Sequence, residues 1–177
     1  MLGSTYLQEN FRTVRENTIV IAEEIPADHY TFRAAPSVRS VGEMLAHVAV
    51  APRWQMSVHR DRTSAIDFGM FAARNAGVKA GEEALQTKEQ IVAALKDGRD
   101  QFVAFLDGLT PDTLGETITF PPPIQPATKS RFELLMSLKE HEMHHRGQLM
   151  LIQRILGIVP HLTRRREAFA AQLPAQS

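Results

Sequence analysis

The chain has 177 residues, 20 basic against 20 acidic side chains and no cysteine. One domain with a sizeable apolar core fits that length, and the lack of thiols excludes disulfides, cysteine-bound zinc and a cysteine nucleophile. Zero net charge leaves no basic surplus for nucleic acid or anionic membranes, and no run approaches the ~20 apolar residues of a membrane span.

The opening MLGSTYLQENFR has no basic stretch leading into an apolar run, so no signal peptide is expected and the cytoplasm is the expected location. Leu7, Phe11, Val14, Thr18, Ile21 and Ile25 recur at spacings of four and three, which predicts an amphipathic helix ending before Pro26. Beyond a loop around Pro36, Ser40 and Glu43 predict a capping box: the serine oxygen accepts from a backbone N–H while the glutamate reaches back. The second helix follows through Met44, Ala51 and Trp54 to about Val58. Pro52 within it predicts a kink, because proline removes a donor and crowds the carbonyl one turn earlier.

Asp61 to Ala80 shows no period, interrupted by Gly69 and Gly77, and reads as loop with one short helix. Thr87 and Gln90 open a third helix, whose apolar stripe is Ile91, Leu95, Phe102, Leu106 and Leu109. Thr110 to Lys129 holds five of the ten prolines and reads as a long crossover, with a weak strand-like alternation from Glu116 to Phe120. Ser130 and Glu133 cap a long fourth helix reaching about Gly157, ahead of Pro160, and a short helix from about Thr163 closes the chain. The expected fold is all-α: a four-helix bundle in a single domain over residues 1–177. Its long crossover lets the last helix enter from the far end.

The fourth helix carries the chemistry, in the string Glu140-His141-Glu142-Met143-His144-His145-Arg146-Gly147-Gln148. His141 and His145 lie one turn apart on a face with Leu134, Leu138, Gln148 and Ile152, which should turn toward the core. Two such imidazoles can hold one metal ion at roughly 2.0–2.1 Å per nitrogen, or can be core histidines satisfied by hydrogen bonds. His144 points about 100° away from His145, so only one of the two serves as a ligand. A spacing of four is the usual choice, with His144 as the alternative. The string matches H-E-x-x-H by letter, yet a protease of that type needs a further downstream ligand, and His161 lies beyond Pro160.

A third ligand would come from another helix. His47 shares a face with Glu43, Met44, Ala51 and Trp54, and Ala46, Ala49 and Ala51 let a facing helix approach closely. The alternative for His47 is a buried histidine held by a carbonyl. His29 and His59 fall at a loop and a helix end and read as solvated. Spacing thus suggests a three-histidine site.

Three phrases now combine: SVRSVGEMLAHVA on the second helix, SRFELL with HEMHHRGQL on the fourth, and IPADHYTFRA between the first two helices. Together they resemble the DinB/YfiT-like superfamily of metalloenzymes, from Tyr6 to Gly157 and least between Asp61 and Gly81. The resemblance implies a four-helix bundle with a divalent metal on three histidines, which fall at His47, His141 and His145. Characterised relatives are metal-dependent transferases or isomerases using a small-molecule thiol such as bacillithiol or mycothiol. The resemblance therefore implies thiol activation at the metal, with the low-molecular-weight thiol taken from solution.

Imidazole ligation suits zinc, nickel, iron and copper, with zinc or nickel the expected ion, and three protein ligands leave an open position of the catalytic kind. Glu43, one turn before His47 and also part of the cap, is the candidate proton carrier; Gln148 is the candidate to orient water or substrate. The alternatives are a metal-dependent hydrolase with water as nucleophile, or a non-enzymatic dimeric metal-binding stress-response protein. A second apolar row on the fourth helix, Phe132, Met136, Met143 and Met150, exceeds the one buried stripe a helix needs; it packs on the crossover loop or on a second subunit, and a homodimer is predicted. The expected partners are a small-molecule substrate and a second copy of the chain, with no nucleic acid and no membrane. Arg164, Arg165 and Arg166 read as a solvated C-terminal face.

Overall fold

The computed structural model describes residues 3–173. Four long helices form the bundle: α1 (Ser4–Glu24), α2 (Val41–Arg60), α4 (Lys88–Asp107) and α6 (Arg131–Ile155). α3 (Phe68–Glu83) lies between α2 and α4 in the chain. α5 (Pro111–Gly115) and the strands β1 (Thr117–Thr119) and β2 (Thr128–Ser130) make the crossover into α6, and α7 (His161–Ala170) follows. No helix among the described residues is long and apolar enough to cross a membrane.

α1 packs against α4 and α6, and α2 packs against the same two helices. Around the bundle the order is therefore α1, α4, α2, α6, with α1 and α2 on one diagonal and α4 and α6 on the other. Chain neighbours on a diagonal need long connections, which accounts for the linker before α2 and the proline-rich crossover before α6. The crossover is an antiparallel β1–β2 pair with Ile118 opposite Lys129. It is also tied to the segment after α2: Ile66 N–H donates to the Thr119 carbonyl at 2.8 Å, and Thr119 N–H to the Ser64 carbonyl at 2.9 Å.

The predicted caps are all present. Ser40 with Glu43, Thr87 with Gln90 and Ser130 with Glu133 each form a reciprocal capping box. The first stripe is buried throughout, from Leu7 to Ile25. α2 stays helical on both sides of Pro52. α6 ends where Gly157 takes φ 77°, a left-handed conformation that closes the last turn cheaply only without a Cβ.

Three expectations are corrected. Residues 68–83 form a sixteen-residue helix rather than loop with one short helix, with Asp67 accepting from Met70 N–H as its cap. α3 lies on the surface with Gly81 its one buried residue, so it has no apolar stripe to betray it. His59 is buried, 2% exposed, rather than solvated, because Arg131 and the Phe105 ring close over the end of α2. The second row of α6 is largely occupied within the chain. Phe132 and Met136 pack on the Leu7–Phe11–Phe102 cluster, Met150 packs on the other end of the core, and only Met143 is exposed.

Between the two ends of the core lies an ion pair that the apolar pattern conceals. Arg15 Nε sits 2.9 and 3.0 Å from the two oxygens of Glu142, and Nη2 sits 2.9 Å from Oε2. The same guanidinium donates to the Val48 carbonyl at 3.0 Å and the Leu95 carbonyl at 3.2 Å. One side chain of α1 thus touches α2, α4 and α6, and both partners are fully buried.

Candidate metal centre

α2 and α6 are bundle neighbours, and each presents imidazoles to their shared face. His47 Nε2 lies 3.0 Å from His141 Nε2, and His145 Nε2 lies 3.2 Å from the same atom. Ligand atoms of all three fall within 4.8 Å of one another. Nitrogens bound tetrahedrally at roughly 2.0–2.1 Å from one ion stand about 3.3 Å apart, so the donor set fits a divalent transition metal with little movement. The rings are half-buried and meet edge to face, with centroids 4.6 to 5.1 Å apart.

Hydrogen bonds at the far side of two rings fix which nitrogen is free. His47 Nδ1 donates to Glu82 Oε1 at 2.6 Å, and His145 Nδ1 donates to Gln148 Oε1 at 2.8 Å. A proton held on Nδ1 leaves the Nε2 lone pair for a metal, and such outer partners orient the ring and raise its basicity. Burial lowers the pKa of His47, though the Glu82 contact opposes it. His141 is pushed down to about 4, by burial first and then by the neighbouring imidazoles and Arg74. His145 is also lowered by burial. The cluster is therefore neutral near pH 7, the state in which imidazole binds metals.

His144 stands outside this group. It is exposed, and its Nε2 lies 3.2 Å from Gln148 Nε2. Gln148 is engaged between His145 and His144, so its evident task is to hold His145. Glu43 has both oxygens engaged: Oε2 accepts from Ser40 N–H at 2.9 Å and Oε1 pairs with Arg33. The Ser40 hydrogen bond first, and then the Arg33 contact, lower the Glu43 pKa. The carboxylate that meets the histidines is Glu82 of α3, which no sequence pattern singled out. Arg39 lies on the same oxygen at 3.4 Å. Glu142, the letter match to a protease base, points into the core toward Arg15 and cannot serve the imidazoles.

A cavity of about 350 Å³ opens beside the cluster, bounded by His47 and His141 and by Trp54, Phe71, Phe120 and Leu134. Its outer walls come from α3 and the crossover, the two parts of the chain whose sequence carries the least pattern.

The sequence model of the DinB superfamily matches residues 10–149. A curated relative, the uncharacterised protein YjoA of Bacillus subtilis, is 25% identical over 157 residues, covering 89% of this chain and 93% of its own. The crystal structure of that DinB-like protein aligns with a TM-score of 0.64 at 23% identity, over 86% of this chain and 92% of that one. An uncharacterised protein of Clostridium difficile aligns at 0.66 and 11% identity, covering 88% of this chain and 98% of that one. YfiT of Bacillus subtilis, described as a probable metal-dependent hydrolase with an unusual four-helix bundle topology, aligns at 0.66 and 12% identity, over 88% of each chain. At these identities the structures establish the fold.

Proposed function

This chain belongs to the DinB superfamily, and from that premise we propose a single-domain, cytoplasmic, metal-dependent enzyme that activates a small-molecule thiol for transfer to an electrophile. The observation that carries the proposal is the convergence of three neutral imidazole nitrogens at the wall of a cavity large enough for a small molecule. His47, His141 and His145 would hold the ion, zinc or nickel. A bound divalent ion supplies Lewis acidity, lowering the pKa of a coordinated thiol or water toward neutrality.

The protein's own residues supply the rest. Glu82 and Gln148 keep the ligand nitrogens unprotonated and aimed at one point. Trp54, Phe71 and Phe120 line the cavity with apolar surface, which limits water beside the reacting groups. The thiol must come from solution, since the chain has no cysteine. No fourth protein ligand joins the three histidines among the described residues, which favours catalysis over storage or sensing.

Hydrolysis, with water as the nucleophile, is the second reading, and the description of YfiT favours it. Zinc- and nickel-loaded protein assayed with a thiol panel and a chloronitrobenzene, and separately with activated esters, divides the two. Thiol-dependent turnover lost in His47→Ala supports transfer, and ester cleavage without thiol supports hydrolysis. Inactivity across both panels contradicts the enzyme reading. A second copy of the chain remains the proposed partner. Leu151 and Ile155, one turn apart on α6, are 61% and 55% exposed, and sedimentation of Leu151→Glu against the parent tests that face.

A further inference from the structure

The cavity beside the imidazoles has a chemistry that the metal reading leaves unused. Its role as a substrate pocket rests on that reading, whereas its charge does not. Most of the lining is apolar, with Gln55, Gln125 and Ser137 as neutral polar groups beside the two imidazoles, and the two charged side chains are both cations: Arg74 from α3 and Lys129 from β2. Neither joins a salt bridge among the described residues. The Arg74 guanidinium lies over the Trp54 ring, 4.8 Å from its centroid, and Trp54 in turn stacks on Phe71 at 6.2 Å. That stacking fixes the charge at the cavity wall.

Arg74 is half-buried, and burial is what lowers its pKa, with no carboxylate set against it. Glu82, on the same helix and beside the imidazoles, is already held by His47 and Arg39. A partly desolvated cation without an anion carries a cost that a ligand of opposite charge would relieve. The planar fork of a guanidinium suits a group with two oxygens.

We propose that this cavity takes a small organic oxyanion, a carboxylate or phosphate on an aromatic or apolar body, with the anionic end held by Arg74. Lys129 adds a second positive charge in the wall, and the body lies against Trp54 and Phe71. The substrate of the neighbouring centre is then an anion, and amines are excluded by like charge.

Trp54 is the sole tryptophan of the chain, so its fluorescence reports on this wall directly. Metal-free protein is titrated with benzoate, phenyl phosphate, benzyl alcohol and benzylamine, with calorimetry as the second readout because Arg74 itself touches Trp54. At least one of the two anions should bind saturably, and at least tenfold more tightly than the alcohol or the amine. Arg74→Gln should weaken it tenfold or more, Arg74→Lys less, and Lys129→Gln severalfold. An alcohol that binds as tightly as the anions, or anion binding unchanged in Arg74→Gln, overturns the proposal. Repeating the titration with zinc separates the two readings. Binding that needs zinc and ignores Arg74 overturns the oxyanion site and leaves the metal centre standing. Binding through Arg74 in a protein that takes up no metal does the reverse.

Discussion

The Glu82 carboxylate accepts a hydrogen bond from His47 Nδ1 at 2.6 Å, joining α3 to the imidazole cluster that α2 and α6 build. If that contact sets the tautomer of His47, Glu82→Gln should weaken metal binding by about 10- to 100-fold. Competition with a chromogenic chelator measures this. Thermal unfolding of the metal-free variant should match the parent, because Glu82 is only partly buried.

The Arg15–Glu142 pair predicts a pattern of stabilities. Arg15→Met leaves a buried carboxylate alone and should cost about 3–5 kcal/mol, whereas Arg15→Met with Glu142→Met should recover most of that loss. Urea unfolding at pH 7 reads both. Equal destabilisation in the single and double variants would contradict the pairing.

His59 gives a pH prediction. Burial first, and the nearby Arg131 charge second, push its pKa down to about 4. Below about 6.5 the unfolded chain binds a proton that the folded chain refuses until about pH 4. The stability of the metal-free protein should therefore be full above pH 6.5 and fall on acidification toward pH 4. His59 accounts for on the order of 3 kcal/mol of this. His59→Gln should flatten that part of the curve, as followed by urea unfolding at half-unit steps of pH.

Much of the bundle was legible because helix starts and buried stripes are local signals. Ser40, Thr87 and Ser130 each announced a helix within four residues, and the spacing of Leu7 to Ile25 marked its buried face. His141 and His145 were legible as a pair for the same reason, and His47 was a candidate on its own helix that the family resemblance then selected. The residues missed depend on contacts far along the chain. α3 buries only Gly81, so neither the helix nor its Glu82 left a periodic trace. Arg15 left no local signal of its burial, because its partner lies 127 residues away. His59 at a helix end looked solvated because Arg131, which covers it, follows the crossover.

The most direct measurement is metal content by elemental mass spectrometry, on protein made without an affinity tag, stripped, and reloaded with zinc or nickel. The account predicts one equivalent in the parent and in His144→Ala, and loss of metal in His47→Ala, His141→Ala and His145→Ala. A parent that retains no metal, or a His47→Ala variant that retains as much as the parent, would contradict the three-histidine centre.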